Sequence, residues 1–578
     1  MACLIVVWVT GRDSRKVVEK HDLMSNGAKI LATANTDGIE IVSKQTWRLA
    51  AAGVALSALC YAGAAYWTGL KAEETLLEQH RMVAGLPLFT VQSHDYQRGW
   101  FSSSEKTELV LNRKLFEPYL NILPEQARGM LDAKIVYTHH IKHGPLPGLT
   151  DFDLRPARAL VSTEFIMSDA TRKTLSKFFG DADPITLTNR LYFSGGGELQ
   201  VAIPKFDYEE TLSGVKIRWG GFHGKVDYAS GYQQYQIDAR LPGLEVDAAI
   251  KGHVEFKNVA FVSETTPGKT GVDIGNSELT IENIQLDSRE SVPYEIRLNE
   301  LVYLLTRIRV GEFINPSGEI KPSKAELKKL RYRVNTEEDG EFVNTRGRFD
   351  FASLMINKTT VGPLELDVSA NHLHGPTLVK LDKALSAIPF EGKDPAELRR
   401  TYVDTVLREG APLLKQDPIV KVNTLKLQLP DGVVDVSGQV ALKAVQDADL
   451  HKALDFLTKV HADAKLSLPR QTLEDLVVAQ ARNLFMVDER AENPPSVQEI
   501  DDLAKSLFSS QLLQWREQGY VVIRGGQIDT ALTWDGQQLT VNKQPISLPW
   551  QEPEPEPEPE PDTSSAPQDA AADAKKPS

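Results

Sequence analysis

Thr424–Leu442 has the sequence TLKLQLPDGVVDVSGQVAL, and this stretch decides the predicted fold. Apolar and polar residues alternate on both sides of Pro430-Asp431-Gly432, a tripeptide typical of a turn. Alternation with a period of two places every second side chain on the same face of a strand. The stretch therefore predicts an antiparallel hairpin with one apolar and one polar face.

The same alternation recurs along the chain, so we expect sheet to dominate the fold. It occurs at Leu199–Ile203, Val254–Phe256, Leu279–Ile281, Leu330–Val334 and Leu364–Val368, and again around a turn at Asp535-Gly536.

Three segments carry helix signals instead. Ser168 caps a helix that stops near Gly180, and a second helix opens at Asp394-Pro395. The third begins with a capping box formed by Ser496 and Glu499. Its predicted buried stripe consists of Ile500, Leu503, Leu507, Leu512 and Trp515.

The composition is that of a folded protein. The chain has 578 residues, of which 41% are hydrophobic and 25% charged, which excludes collagen-like and wholly disordered classes. The net charge is −14, and residues 552–578 carry −6 of it. Because nucleic-acid binding depends on clustered Lys and Arg, we expect no nucleic-acid partner.

Leu49–Leu70 is a run of 22 residues without a charge, long enough to cross a hydrocarbon core of about 30 Å. Lys44 and Arg48 precede it, so the positive-inside rule places the N-terminus in the cytoplasm and the rest of the chain outside. We predict a single transmembrane anchor. The alternative is a cleaved signal peptide, for which Ala62-Gly63-Ala64 supplies a small-residue cleavage site.

These signals divide the chain into five parts. Residues 1–48 form a cytoplasmic leader or a translation-start artefact, and residues 49–70 form the anchor. Residues 71–375 are expected to form a β-rich domain and residues 376–550 an α+β domain. Residues 551–578, which contain an EP repeat, form a disordered acidic tail, either a solubilising spacer or a partner-binding arm. The predicted fold class is α+β: an N-terminal transmembrane helix, then a large, mainly antiparallel β-rich region with inserted helices.

Several segments resemble the YdgA-like family of bacterial envelope proteins, in order along the chain. They are YWTG (Tyr66–Gly69), YQRGWFSS (Tyr96–Ser103), HGPLPGL (His143–Leu149), LYFSGGGELQVAIPKFDY (Leu191–Tyr208), the segment around Gly220-Gly221, LLKQDPI (Leu413–Ile419) and DAKLSLP (Asp463–Pro469). The resemblance implies an inner-membrane anchor with a large periplasmic domain. It implies no catalytic residues, because the family has no assigned biochemical function.

A search for catalytic and metal-binding motifs finds little. The nucleophile-elbow, P-loop, HExxH and CxxC patterns are absent from the sequence. Ser103 and Lys106 match S-x-x-K, but in a strand-like stretch rather than at a helix start. Gly195-Gly196-Gly197 is interpreted as a hairpin turn or bulge, because strand residues rather than a helix follow it.

The histidines His139, His140 and His143 lie within five residues and are the nearest approach to a metal site. On a strand, neighbouring residues point to opposite faces, so His139 and His140 reach one ion only if the segment turns. We interpret all three as strand-end polar residues and predict no metal site and no cofactor.

Arg98, Trp100 and Phe101 form the most unusual polar-aromatic cluster. The aromatic rings are suited to anchoring a partner or ligand, and Arg98 to binding a carboxylate or phosphate; the alternative is a buried strand start. We expect a non-enzymatic, membrane-anchored periplasmic protein that binds a lipid-like ligand or an envelope protein in cell-envelope maintenance. The alternative is an envelope hydrolase whose active site is assembled in space.

Overall fold

The computed structural model describes residues 44–85, 89–113, 134–210, 214–232, 234–248, 252–288, 324–388, 395–484 and 496–548. The expectations for residues 1–43 and for the acidic tail fall outside these ranges. In the first helix, side chains are described from residue 51 onward.

Seven α-helices occur in the described ranges, and several of them separate blocks of strands. They are α1 (Lys44–Ala84), α2 (Asp169–Phe179), α3 (Gly375–Ser386), α4 (Pro395–Leu414), α5 (Ala453–Leu457), α6 (Arg470–Leu484) and α7 (Val497–Glu517).

The strands of the described ranges number 24, and they pair antiparallel throughout. The first twelve are β1 (Phe89–Arg98), β2 (Ser102–Leu111), β3 (Lys134–His143), β4 (Ala159–Ile166), β5 (Thr186–Leu191), β6 (Gly197–Ile203), β7 (Phe206–Glu209), β8 (Lys216–Trp219), β9 (Phe222–Tyr228), β10 (Tyr235–Asp247), β11 (Gly252–Pro267) and β12 (Asp273–Ser288). The others are β13 (Lys324–Asp339), β14 (Phe342–Phe351), β15 (Ser353–Ile356), β16 (Thr359–Val361), β17 (Leu364–His374), β18 (Ile419–Leu429), β19 (Gly432–Leu442), β20 (Val460–Pro469), β21 (Val522–Arg524), β22 (Gln527–Trp534), β23 (Leu539–Val541) and β24 (Gln544–Ile546).

The first sheet has the order β1-β2-β3-β4-β5-β6-β9, and α1 packs against it. Small residues on one side of α1 allow this close packing, and Ala65 and Ala72 are fully buried. Leu76 of α1 joins Ile141 and Leu191 of the sheet in one apolar core. Helix α1 and the first sheet therefore share a hydrophobic core.

The second set of strands forms a long antiparallel meander. Strand β10 pairs with β8 and β11, and the pairing continues through β12, β13, β14, β17, β18, β19, β20 and β22. Strand pairing thus continues across the division between residues 375 and 376 that the sequence suggests, and that division remains a prediction. The expectation of a large, mainly antiparallel β-rich protein with inserted helices is confirmed.

Local signals were reliable guides to strands and helix ends. The quoted hairpin forms as β18 and β19, with Leu429 opposite Gly432, and β22 pairs with β23 around Asp535-Gly536. Ser168 accepts a hydrogen bond from the Thr171 N–H, and the Ser496–Glu499 capping box is present.

The predicted stripe of α7 was only partly correct. Ile500 and Leu512 are buried as expected, but Leu503, Leu507 and Trp515 are exposed. Ala504 and Phe508 take their places, so the buried face follows a spacing of four residues. The small Ala504 lets the helix approach its neighbours, which a search for large apolar residues overlooks.

The predicted transmembrane segment, Leu49–Leu70, lies within α1. Among the described residues, no helix has a stretch that is both long and apolar enough to span a membrane.

Candidate functional site

The contact between α1 and the first sheet contains most of the unusual polar residues. Gly69 of α1 lies directly above the imidazole of His143, at the end of β3. A Cβ atom at residue 69 would lie 2.6 Å from His143 Cε1, closer than a carbon contact allows. Glycine is therefore required here for the close approach of helix and sheet.

His143 connects the helix to the sheet through both ring nitrogens. Its Nδ1 lies 2.9 Å from the Ala65 carbonyl oxygen, and its Nε2 lies 3.1 Å from the Ser103 Oγ. Because a carbonyl can only accept, Nδ1 carries the proton and Ser103 donates to Nε2. Burial lowers the pKa of His143, which keeps the ring neutral at pH 7.

The Ser103–His143 pair resembles part of a catalytic triad in its contact, but its surroundings differ. Ser103 and His143 are both buried, and α1 covers them. The third group is a backbone carbonyl rather than a carboxylate. The pair is suited to holding α1 in place, and a substrate would have to displace the helix to reach it.

Arg98, Trp100 and Phe101 also face α1. Arg98 forms an ion pair with Glu73 at 2.7 Å, and its guanidinium carbon lies 5.5 Å from the centre of the Tyr66 ring. Trp100 contacts Tyr66 with ring centres 5.2 Å apart, and Phe101 stacks on Tyr61 at 6.5 Å.

Trp100 and Phe101 nevertheless remain 64% and 51% exposed. The β1–β2 turn therefore contacts α1 with one side of each ring and leaves the rest accessible. This arrangement lies between the two sequence interpretations, a partner-binding cluster and a buried strand start.

A second polar group lies farther along α1, where His80 faces β1 and β2. The rings of His80 and His94 stack with centres 3.7 Å apart, and His94 Nε2 lies 2.8 Å from Glu105 Oε1. The Glu105 side chain is only 2% exposed. One potential ligand atom from each of these residues lies within 4.8 Å of the other two.

Burial changes the protonation behaviour of this group. Burial lowers the pKa of His80, and the nearby His94 lowers it further. Burial raises the pKa of Glu105, although the hydrogen bond with His94 acts in the opposite direction. His139, on the neighbouring strand, has its pKa lowered by burial to about 4. The imidazoles of His80 and His139 are therefore neutral at pH 7.

The three histidines noted in the sequence do not converge. His139 contacts Thr163 Oγ1 at 2.8 Å on the face covered by α1, whereas His140 is exposed and contacts Glu164 at 2.9 Å. The expected divergence of His139 and His140 on a strand is confirmed. His143 shares the inner face with His139 but binds Ala65 and Ser103.

Two other sequence interpretations are also resolved. Ser103 is buried whereas Lys106 is exposed, so the S-x-x-K residues lie on opposite faces of β2. The Gly195–Gly197 segment connects β5 to β6, with the Tyr192 N–H donating to the Gly196 carbonyl. The expectation of a hairpin turn there is confirmed.

The long meander has one apolar face that crosses nine strands, from β10 to β20. Residues directly opposite one another form a single row, consisting of Ala239, Phe261, Leu279, Tyr332, Phe349, Leu366, Leu425, Val436 and Leu466. We call this the apolar row. Since strands lie about 4.8 Å apart, the row is roughly 38 Å long.

The opposite face is polar. The adjacent row contains Arg240, Thr280, Arg331, Asp350, Glu365, Lys426, Asp435 and Ser467, interrupted by Ala260. Ion pairs stabilise this side, for example Arg331 with Glu278 and Arg346 with Asp367. The meander is therefore amphipathic across its whole width.

Most of the apolar row is incompletely covered. Ala239 is buried, but the side chains from Phe261 to Leu466 are half-buried or exposed, and Tyr332 is 45% exposed. At its first strand the row joins the core beneath α1, since Ala239 and Phe261 pack with Ala72 and Leu76. A continuous apolar surface thus leads from α1 outward across the meander.

The family assignment rests on a match over most of the chain. A family model described as "Bacterial protein of unknown function (DUF945)" matches residues 44–549. The chain belongs to this family. No curated protein and no solved structure shows significant similarity to it. Membership in the DUF945 family leaves the biochemical activity open.

No sequence motif points to the group formed by His80, His94 and Glu105. These residues come from α1, β1 and β2, and no short motif links them. The alternation in β2 was a usable signal, because Ser103, Glu105 and Thr107 occupy every second position and are all buried. A run of polar residues on the buried face of a strand indicates a polar core.

Proposed function

We propose that this protein is a membrane-anchored periplasmic protein that binds the acyl chains of lipids along the apolar row. One observation carries the proposal: nine apolar residues line up across nine strands, eight of them are incompletely covered, and the row continues into the core beneath α1. Extended apolar surfaces of this size are typical of binding sites rather than of free protein surface.

An acyl chain fits this surface better than a protein partner. The row supplies contact with apolar side chains over a long, narrow path and carries no charged residue. Protein interfaces, by contrast, usually combine an apolar centre with a polar rim and about ten hydrogen bonds. An envelope protein partner is the second candidate, and the experiments below distinguish the two.

Helix α1 supplies the membrane anchor in this proposal. Its residues 51–60 are exposed on every side, including Val54, Leu56 and Leu59 at 71%, 63% and 70%. From Tyr61 onward one side of the helix packs on the first sheet. We therefore propose that the exposed residues before Tyr61 lie in the hydrocarbon and that Tyr61–Leu70, packed on the sheet by one side, completes the span at the periplasmic surface.

Exposed aromatic and aliphatic residues surround α1 at that level. Trp100 and Phe101 contact the helix from the β1–β2 turn, and Tyr61 contacts Leu146 at the start of the loop that follows β3. This loop carries Leu149, Phe152 and Leu154, and Phe152 is 94% exposed. Aromatic residues favour the membrane interface, so these turns would rest on the bilayer.

The bacterial inner membrane and the periplasm are proposed on two grounds. Lys44 and Arg48, which precede Leu49–Leu70, favour a cytoplasmic N-terminus, and the segments quoted above resemble YdgA-like envelope proteins. A role in cell-envelope maintenance follows as a proposal from this placement and from the apolar row. We propose no nucleic-acid partner. The hydrolase alternative gains no support from Ser103 and His143, which α1 covers.

Two similarly exposed residues on opposite faces of the meander test lipid binding. Tyr332 lies in the apolar row at 45% exposure, and Val262 lies on the polar face at 42%. Full-length protein, delipidated in detergent, should take up a fluorescent fatty acid saturably. Tyr332→Glu should weaken this uptake at least about tenfold, because a charge would be desolvated beside the acyl chain. Val262→Glu should leave uptake unchanged.

Mass spectrometry of the protein extracted from membranes should also find copurifying phospholipid. The apolar row is eliminated as the lipid site if fatty-acid uptake does not saturate. It is also eliminated if both variants keep the wild-type circular dichroism and lose uptake equally. The protein-partner candidate is favoured if a second protein copurifies in stoichiometric amount without lipid, and if Tyr332→Glu abolishes this copurification.

A further inference from the structure

We propose that His80, His94 and Glu105 form a binding site for a divalent transition-metal ion, with zinc the best match. This inference is independent of lipid binding, because it concerns the other end of α1 and different side chains. It departs from the sequence expectation of no metal.

The ligand chemistry fits zinc. Two imidazole nitrogens and one carboxylate oxygen form a common three-residue set for this ion, and they leave a fourth position for water. Zinc lies about 2.0–2.2 Å from such ligands, so in a tetrahedron the ligand atoms are roughly 3.4 Å apart. Here they lie within 4.8 Å of one another, so the side chains would move closer together and the stacked imidazoles would turn on binding.

Unpaired polar atoms in the same place are a second, independent indication. Glu105 is almost completely buried, yet its Oε2 atom has no hydrogen-bond partner among the residues that the structure describes. Within the same ranges, the buried Nδ1 atom of His80 also lacks a partner. Leaving a buried carboxylate oxygen unpaired is costly, and a bound cation would give both the carboxylate and the imidazole a partner.

The described surroundings of Glu105 supply no lysine or arginine partner for its carboxylate. The residues directly opposite Glu105 on the neighbouring strands are Tyr96 and His139, and the His139 Nδ1 is already paired with Thr163. Metal coordination requires deprotonated ligands, so binding would displace any proton that Glu105 and His94 share.

The position of the site suggests what the metal would do. His80 lies in the last part of α1, His94 lies in β1 and Glu105 lies in β2. An ion bound to all three would fasten the C-terminal end of α1 to the sheet. The opposite end of this contact is already held by His143 and Arg98. Metal binding would thus fix the helix at both ends of the packed segment.

The experiment uses full-length protein in detergent, freed of metal by chelation and then titrated with zinc against a chromophoric chelator. We expect one zinc ion per chain and a higher melting temperature with zinc. Glu105→Gln keeps the side-chain size and should weaken zinc binding at least about tenfold, and His94→Ala should weaken it at least as much. The matched control is His140→Ala, which removes an exposed imidazole from the opposite face of β3.

Cobalt provides a second readout, since a four-coordinate site with nitrogen and oxygen ligands gives intense visible absorption that Glu105→Gln should change. Circular dichroism verifies that each variant is folded before titration. The proposal is overturned if folded wild-type protein binds no stoichiometric zinc, or if His140→Ala loses as much affinity as Glu105→Gln. Unchanged zinc binding in folded Glu105→Gln and His94→Ala would equally exclude this site.

Discussion

Gly69 and His143 lie in direct contact across the boundary between α1 and the first sheet, and residue 69 has no room for a side chain. The imidazole fills the space that a side chain at residue 69 would need. A Cβ atom placed at residue 69 would lie 2.6 Å from His143 Cε1. The same imidazole binds Ala65, one helical turn earlier. The position of α1 on the sheet therefore depends both on the missing side chain at residue 69 and on the imidazole of His143.

Gly69→Ala should destabilise the protein by about 1–3 kcal/mol, because the added methyl group forces helix and imidazole apart. The matched control is Gly63→Ala on the same helix, where a Cβ atom meets nothing within 4 Å. Alanine has the higher helix propensity, so this control should be neutral or slightly stabilising. Thermal unfolding followed by circular dichroism measures both.

The double variant Gly69→Ala/His143→Ala completes the test. Removing the ring makes room for the methyl group, so the effects of the two substitutions should be less than additive. Fully additive losses would show that the contact does not limit the helix position.

His143 should make stability dependent on pH. Burial lowers its pKa in the folded protein, whereas the unfolded chain takes up a proton near 6.5. The contribution of the neutral ring is therefore complete above pH 6.5 and is lost as the pH falls toward the lower folded pKa. His143→Gln should lower stability at pH 7 by roughly 1–2 kcal/mol through lost hydrogen bonds.

The same variant should also flatten the decrease of melting temperature below pH 6.5. His140→Gln, an exposed position, should retain the wild-type pH profile. Parallel profiles for wild type and His143→Gln would refute a role of this ring in the pH dependence.

Arg98 should hold α1 locally rather than stabilise the whole protein. Its ion pair with Glu73 is partly exposed, so Arg98→Ala should cost only about 0.5–1 kcal/mol overall. Amide hydrogen exchange near Glu73 should nevertheless accelerate, because the Tyr66 contact is lost as well. Arg240→Ala, which breaks an exposed pair with Asp238 on the polar face of the meander, should leave that exchange unchanged.

The membrane placement predicts two results in bacterial cells. An alkaline phosphatase fused after the described C-terminal strands should be active, and the protein should remain in the membrane fraction after a carbonate wash. An inactive fusion contradicts the orientation, and release by carbonate favours cleavage near Ala64.

Cys60 offers a direct probe of the bilayer, since its side chain is exposed at the end of the uncovered part of α1. An environment-sensitive dye at Cys60, in a Cys3→Ser background, should be quenched by lipid-borne quenchers. A dye on Val262→Cys, in a chain with Cys60→Ser, should not be quenched. Equal quenching at the two positions is incompatible with the proposed depth.

Local sequence patterns predicted many strands and several helix ends, although α3, α5 and α6 had no predicted signal. Alternation and a Pro-Asp-Gly turn predicted β18 and β19, and a capping box marked the start of α7. These features depend on the backbone and on side chains a few residues apart, so the sequence determines them by itself. The apolar face of the meander was also foreseeable, because a period of two assigns each residue to a face.

Tertiary structure alone decided which residues meet. His80, His94 and Glu105 converge because α1 lies across β1 and β2, and Ser103 meets His143 across 40 positions of sequence. Such contacts depend on strand register and on how closely a helix approaches a sheet, and no local period encodes either. The small side chains that set this approach, Gly69 and Ala504, carry no apolar signal of their own. The sequence thus determined the strands, turns and helix ends, whereas long-range packing decided the polar site and the buried helix faces.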